Sequence, residues 1–444
     1  VESNRVPVSF RAALAFWFRL GFISFGGPAG QIAIMHQELV ERRRWISERR
    51  FLHALNYCML LPGPEATQLA TYIGWLMHRT WGGIAAGGLF VLPSLFILIA
   101  LSYLYMAFGH VALVAGLLYG VKPAVVAIVL AAAWRIGSRA LRHPALWAIS
   151  LAAFVAIYLL HLPFPAIVLA AAALGALGAR VLPQAFAPGP AHDKSANGYG
   201  PALIDDDTPA PAHARYGARR LAAYLATGIG LWLVAVLALA AAMGSEGTLT
   251  GMALFFSKAA LLTFGGAYAV LPYVYQAAVE HFHWLSAPQM IDGLALGETT
   301  PGPLIMVVAF VGFVGGWSRQ VFGSEHLFLA GAAAAAVATF FTFLPSFLFI
   351  LIGGPLVEST HGDLKFTAPL TGITAAVVGV VVSLAAFFAQ HVFWPRGTVG
   401  AVDRIALAAA ALALVLLVRF RIGLIPLIGA MAAAGAVLRL AGLV

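Results

Sequence analysis

Charge is scarce in this sequence. Only 10% of its 444 residues are Asp, Glu, Lys or Arg, while 61% are hydrophobic. A soluble globular protein carries roughly 25% charged residues, so this chain cannot cover a water-facing exterior. Cysteine is nearly absent: the single thiol, Cys58, excludes a disulfide framework and any multi-cysteine metal site. No His/Cys set has metal-ligand spacing, no glycine-rich loop ends in Lys-Ser or Lys-Thr, and no polar region is large enough for a catalytic domain. An enzyme is therefore not expected, nor a cofactor or metal, and any transport has to be secondary. A cleavable leader is not expected either, because Arg11 and Arg19 interrupt the apolar run Val8–Leu20.

What the sequence has is long apolar segments, such as Leu221–Met243 and Leu327–Leu351. Each is about the 20 residues needed to cross a hydrocarbon core. They are continuous, without the alternation of a β-barrel strand, so helices are the solution that satisfies the backbone in lipid. The fold class is an all-α polytopic membrane protein, with about thirteen apolar segments if all count as crossings. The net charge of +9 comes mostly from arginines in short loops, which marks the cytoplasmic side of a membrane protein rather than a nucleic-acid site.

The chain repeats itself. Ser24-Phe25-Gly26-Gly27 recurs as Thr263-Phe264-Gly265-Gly266, 239 positions later. The same offset carries Trp45-Ile46-Ser47 onto Trp284-Leu285-Ser286, Pro62-Gly63-Pro64 onto Pro301-Gly302-Pro303, and Arg19 onto Lys258. Beyond an insertion of 13 residues around Trp317–His326, Leu92-Pro93-Ser94 matches Leu344-Pro345-Ser346 at an offset of 252. The expected division is a first repeat over 1–182, a linker over 183–218, a connecting helix over 219–244 and a second repeat over 245–444. The stretch Gln184–Ala214, with His192, His213 and Asp205-Asp206-Asp207, reads as a solvated linker with little structure.

Charge sets orientation. The loop His36–Arg50 contains Arg42, Arg43, Arg44, Arg49 and Arg50, whereas its repeat partner Tyr275–Gln289 has no Lys or Arg. By the positive-inside rule the first loop and the linker are cytoplasmic and the halves are inverted, a common ground plan of secondary transporters. A full crossing at Phe10–Gly27 would put Arg5 and Arg11 on the wrong side. Re-entrant hairpins turning at Gly26-Gly27-Pro28 and Pro62-Gly63-Pro64 remove that conflict.

Those breaks are the candidate chemistry. Proline lacks an N–H and disfavours helix in the residue before it. Broken helices at membrane depth are tolerated where they line a cavity or are buried in protein. New helix N-termini at Pro28, Pro64, Ala267 and Pro303 offer free N–H groups and positive dipole ends to an oxyanion; the alternative is four packing kinks. Arg19 and Lys258 lie seven residues before each Gly-Gly, on the face of the break. Between inverted halves they would hold an anion; otherwise they snorkel. The expected substrate contacts are Arg19, Ser24, Gly26, Gly27 and Gly63, with Lys258, Thr263, Gly265, Gly266 and Gly302. Ser24 and Thr263 either donate to the anion or bond their own helix. Glu65, in the first turn after Pro64, and Glu298, beside the second Pro-Gly-Pro, are candidates for proton coupling, with simple capping as the alternative for Glu65. Lys122 and Arg135, Arg139 and Arg142 read as anchors.

With these residues in view, the sequence resembles the chromate ion transporter family in its long, two-domain form. The resemblance is carried by Phe18-Arg19-Leu20-Gly21, Ser24-Phe25-Gly26-Gly27-Pro28, Glu41-Arg42-Arg43-Arg44-Trp45, Leu61-Pro62-Gly63-Pro64 with Gln68, Leu92-Pro93-Ser94, and the second-half echoes. Arg19 stands where relatives often carry Lys; both hold an oxyanion, with different geometry. The resemblance implies export of chromate from the cytoplasm across the inner (plasma) membrane, driven by the proton gradient, with sulfate as an analogue. A sulfate or other oxyanion transporter, an uncoupled anion channel and a non-transporting scaffold or sensor are the alternatives. The bilayer is the expected surrounding, and a homodimer stays open.

Overall fold

The computed structural model describes residues 8–25, 27–186, 199–206, 208–209, 211–215, 217–264, 266–359, 367–395, 397 and 400–443. Gly26 and Gly265, two expected anion contacts, lie outside the described residues, as do Arg5, His192 and Asp207. Among the described residues all regular structure is helical, apart from one isolated bridge between Ile46 and Ile204. Six helices among the described residues are long and apolar enough to cross a membrane.

The first repeat runs α1 (Phe10–Ile23), α2 (Gly27–His36), α3 (Glu48–Leu60), α4 (Glu65–Phe108), α5 (Ala112–Ala140), α6 (Pro144–Tyr158) and α7 (Phe164–Val181), followed by the short α8 (Pro183–Phe186). Helix α9 (Ala218–Met243) connects to the second repeat, which runs α10 (Thr248–Leu261), α11 (Ala267–Tyr275), α12 (Ala287–Thr299), α13 (Val307–Ser318), α14 (Leu327–Ser359), α15 (Thr367–Phe393), α16 (Arg404–Val418) and α17 (Leu424–Leu440). The copies agree in detail. A π-helical turn closes α2 at Gln37–Arg42 and α11 at Gln276–His281, 239 residues apart. Left-handed residues follow at Arg44 and His283, again 239 apart.

Each repeat opens with two re-entrant hairpins. Phe16, in mid-α1, packs its ring 4.9 Å from Trp45, which lies beyond the end of α2. The repeat mates Phe255 and Trp284 pack at 5.8 Å. A continuous crossing would hold these rings tens of ångströms apart at 1.5 Å per residue, so the chain turns back at the Gly-Gly break. The second hairpin turns at Pro-Gly-Pro. Glu358 is reached both by Arg50, near the start of α3, at 3.5 Å and by the Tyr72 hydroxyl, well into α4. Helix α4 then folds back on itself at His78–Arg79, where the backbone is non-helical. Its arms 65–77 and 80–108 pack antiparallel through Gly74 and Gly82, where a Cβ on either would strike the other's carbonyl. The hairpin topology expected from the arginines therefore holds.

Two rods define the faces of the molecule. The 80–108 arm is about 43 Å long at 1.5 Å per residue, enough to cross the roughly 30 Å core. It starts where Thr80 meets the Tyr224 hydroxyl at 2.8 Å and His78 meets the Val8 carbonyl at 2.8 Å. It ends where Tyr103 packs on Trp317 and Phe328. Helix α14 runs back from Phe328 to Glu358 beside Arg50. Thus the arginine-rich loop lies on one face. Its repeat mate lies on the other, where Arg319 donates to the Phe282 carbonyl at 2.7 Å. The repeats are inverted.

The reading of residues 184–214 as a solvated linker needs correcting. Residues 183–186 form α8, which buries Ala185 and Phe186. Residues 203–204 pair with the arginine loop: Leu203 N–H donates to the Arg44 carbonyl at 2.8 Å, Ile204 N–H to Trp45 at 3.0 Å, and Ser47 N–H to Ile204 at 2.9 Å. Ser47 Oγ donates to Asp206 at 2.6 Å, and His213 bonds the Trp75 carbonyl at 2.9 Å. Composition pointed to solvation, but Ala202, Ile204 and Ala214 are apolar enough to dock and are buried.

Candidate functional site

The inverted hairpins interlock at their tips. Gly63 N–H donates to the Thr263 carbonyl at 2.7 Å, and Gly302 N–H donates to the Ser24 carbonyl at 2.8 Å. The donors are repeat mates and so are the acceptors, so the two bonds are one contact made twice about a pseudo-two-fold axis. Gly63 and Gly302 adopt φ of +126° and +103°, which only glycine takes without strain. The chain also passes too close to its neighbours there for a side chain. A Cβ on Gly302 would come 2.8 Å from Ser94 Cβ, and one on Gly63 would strike Ser346 Oγ. Ser94 and Ser346 are themselves repeat mates, so each Pro-Gly-Pro tip of one half sits on the Leu-Pro-Ser serine of the other. Ser94 is the middle residue of the 80–108 arm, which places the tips at mid-depth.

Further polar groups tie the tips together. Gln31, on α2, donates Nε2 to the Gly302 carbonyl, and Gln68, on α4, donates Nε2 to the Pro62 carbonyl at 2.8 Å. Tyr268, in the first turn of α11, donates its hydroxyl to Glu298 in the last turn of α12. The helices after the breaks begin at Gly27, Glu65 and Ala267, each within a residue of the expected N-terminus, and at Val307, which a 3-10 turn over Leu304–Met306 sets four residues beyond Pro303. The N-caps Pro64, Gly266 and Pro303 make no side-chain cap bond.

Four buried atoms at this crossing lack any hydrogen-bond partner among the described residues: Ser94 Oγ, Ser346 Oγ, Gln31 Oε1 and Gln68 Oε1. A buried unsatisfied polar atom costs about 1–3 kcal/mol, so water or a ligand is needed to complete it. Both serines follow a proline inside a long helix, and both are fully or nearly fully buried. Their hydroxyls can donate to an anion. The amide oxygens accept, which suits bound water or a hydrogen-bearing oxyanion.

Several expected contacts land differently. The hydroxyls of Ser24 and Thr263 donate to their own helices, to the Leu20 and Ala259 carbonyls, each at 2.6 Å. Inside a helix the i−4 carbonyl is nearer than any ligand, and it wins. The N–H groups of Gly63 and Gly302 are spent on the crossed bonds and are not free for an anion. Gly27 and Gly266 stand at the turns with positive φ. Arg19 and Lys258 lie on exposed faces of α1 and α10, and among the described residues neither makes a hydrogen bond or ion pair. Glu65 is partly buried in the first turn of the 65–77 arm, and Glu298 is buried. Sequence reasoning named the Leu-Pro-Ser repeat but did not carry Ser94 and Ser346 to the site; a polar residue after a repeated intrahelical proline was the available signal. It also took Lys122 for an anchor, whereas Lys122 Nζ lies 3.5 Å from the buried Asp292.

Known proteins are similar to this chain in sequence. The chain is 33% identical over 407 residues to a protein of Pseudomonas aeruginosa named chromate transport protein, covering 90% of this chain and 86% of that one. A protein of the same name from Cupriavidus metallidurans is 30% identical over 381 residues, covering 84% and 81%. The uncharacterized transporter YwrB of Bacillus subtilis is 31% identical over 133 residues, which is 30% of this chain but 68% of that protein. No solved structure matches. The chromate transporter family matches twice, over residues 11–176 and 250–436, once for each inverted repeat, and the chain therefore belongs to that family.

Proposed function

We propose that the protein exports chromate from the cytoplasm by alternating access, driven by the proton gradient across the inner (plasma) membrane. The carrying observation is the closed polar cluster at mid-depth, where Ser94, Ser346, Gln31 and Gln68 bury unpartnered oxygens between crossed tips. Relatives named for chromate transport support the substrate. In this reading the serine hydroxyls and the N-terminal ends of α2, α4 and α11 hold the tetrahedral dianion, with sulfate as its analogue. Arg19 and Lys258, a few residues from the tips, attract the anion on approach. The face bearing Arg42–Arg50 is cytoplasmic by the positive-inside rule. Glu65 and Glu298 flank the two Pro-Gly-Pro tips and are the carboxylates assigned to proton exchange.

Chromate flux in proteoliposomes under an imposed pH gradient tests this reading, with sulfate as competitor. Flux is expected to rise with the gradient, to fall with sulfate, and to lose its pH dependence in Glu65→Gln. Flux indifferent to the gradient identifies an uncoupled channel, and no flux at all overturns the transport reading.

A further inference from the structure

Above the second face, a cavity of about 340 Å³ opens between α5, α12, α15 and α16. Its polar lining is Tyr119, Lys122, Gln390, His391 and Asp403. Tyr119 donates to Asp403 at 2.8 Å, so that carboxylate is occupied. Lys122 is held differently. Its side chain keeps 29% of its surface exposed to the cavity, while its Nζ reaches back 3.5 Å to Asp292 Oδ2. Tyr105, from the 80–108 arm, donates to the same oxygen at 3.0 Å. Asp292 is only 3% exposed, and its other oxygen, Oδ1, is buried with no partner among the described residues.

The position of this pair matters as much as its chemistry. Asp292 lies on α12, whose far end runs into the Pro301-Gly302-Pro303 tip about 15 Å further on at 1.5 Å per residue. The pair therefore stands between the cavity and the central polar cluster. It also joins the two halves, since Lys122 belongs to the first repeat and Asp292 to the second. Opening a path along this side has to draw α5 and α12 apart and break the pair. Breaking a buried ion pair leaves two uncompensated charges unless each finds a new partner at that moment. A proton satisfies Asp292, and an anion in the cavity satisfies Lys122.

From this geometry we infer that Lys122 and Asp292 form a second, exit-side anion site. Asp292 takes a proton from the outer cavity as Lys122 passes to the departing oxyanion; Tyr105 positions the carboxylate. The proton bonds to a carboxylate oxygen of Asp292 and neutralises it, while Lys122 exchanges one anionic partner, Asp292, for another, the oxyanion, so charge balances at each end. The groups at contact distance from the Asp292 carboxylate are Lys122 and Tyr105; Tyr119, His391 and Asp403 face Lys122 across the cavity. The repeat mates of Lys122, Asp292 and Tyr105 are Thr374, His53 and Val357, so the same exchange cannot occur at the first face. This rests on the coupled-export reading and gives it a direction, because the proton enters on the side where the anion leaves.

The test uses the full chain in proteoliposomes and in detergent. Asp292→Asn is expected to lose gradient stimulation of chromate flux by about tenfold or more. On adding chromate, the purified wild type is expected to take up protons and Asp292→Asn fewer, since Glu65 and Glu298 remain. Lys122→Gln leaves Asp292 buried without its countercharge, so thermal stability falls. In Lys122→Gln/Asp292→Asn stability returns while gradient stimulation stays absent, which separates coupling from a structural role. Gradient stimulation surviving in Asp292→Asn or in the double variant overturns the inference and leaves coupled export standing. A wild type without gradient-driven flux overturns coupled export itself, and proton uptake by the purified proteins then decides the exchange alone: uptake reduced in Asp292→Asn sustains it, uptake unchanged refutes it.

Discussion

The two repeats share a backbone and differ in charge. Their hairpins match down to the π-helical turns and the left-handed residues Arg44 and His283, and their tips exchange the same hydrogen bond in both directions. Apart from Arg19 with Lys258 and Glu41 with Glu280, most ionisable groups do not follow. Glu65 has Leu304 as its mate, Glu298 has Met59, and none of the five arginines between Arg42 and Arg50 has a Lys or Arg as its mate. The Arg42–Glu38 and Arg43–Glu38 pairs, at 2.7 and 3.2 Å, exist on one face only. A symmetric scaffold by itself would favour neither side. Direction then has to come from the side chains, and the backbone has been left free to hold one centre.

The largest effect is expected from breaking the symmetric part. Gly63→Ala and Gly302→Ala each place a side chain at a strongly positive φ, costing about 1–3 kcal/mol before any collision. Both should lower thermal stability and abolish chromate flux, and to a similar degree. A tolerated Gly302→Ala beside a failed Gly63→Ala would show that the crossed bonds are not equivalent.

Next comes Ser94→Ala/Ser346→Ala. No bond among the described residues is lost, so thermal stability should change little, while apparent chromate affinity should fall about tenfold or more, as expected for hydrogen bonds to a charged ligand. Equal effects of the single variants support a shared seat on the axis. An effect of only one would move the seat into one half.

Arg19→Ala/Lys258→Ala should act more weakly on affinity, and most at low ionic strength, because exposed cations steer an anion over a distance that salt screens. A loss exceeding that of the double serine variant would return both residues to the seat itself.

The smallest effect concerns the docked segment on the first face. Burial holds the His213 imidazole below its ordinary value of 6.5, against the pull of its bond to the Trp75 carbonyl. The undocked segment therefore binds more protons just below that value, and docking weakens as pH falls through 6.5. Hydrogen exchange of residues 203–204 should rise over that window in the wild type and stay flat in His213→Gln.

Much of this fold was legible because its markers are glycine and proline, whose backbone consequences do not depend on surroundings. Pro62-Gly63-Pro64 and its copy had to break a helix wherever they fell, and the arginine count had to separate the faces. Side-chain partners were less legible, because they depend on what lies opposite. Ser24 and Thr263 have the right chemistry for an anion, yet the carbonyl one turn back takes their hydroxyls. Nothing local marks Gly63 as the partner of Thr263, 200 residues away. Lys122 and Asp292 each look like an isolated charge until inversion sets α5 beside α12. Residues 199–214 misled in the opposite sense: a few buried apolar positions among many polar ones were enough to dock them.

The crossed bond between the tips also constrains how such a protein can be assembled. A chain carrying a single repeat would hold one Gly63-type donor and one Ser24-type acceptor, each of which here bonds the opposite repeat. It could complete its centre only with a neighbour threaded through the bilayer upside down. Covalent fusion of the halves, with one extra helix between them, removes that requirement: every molecule made contains its own antiparallel counterpart in equal amount.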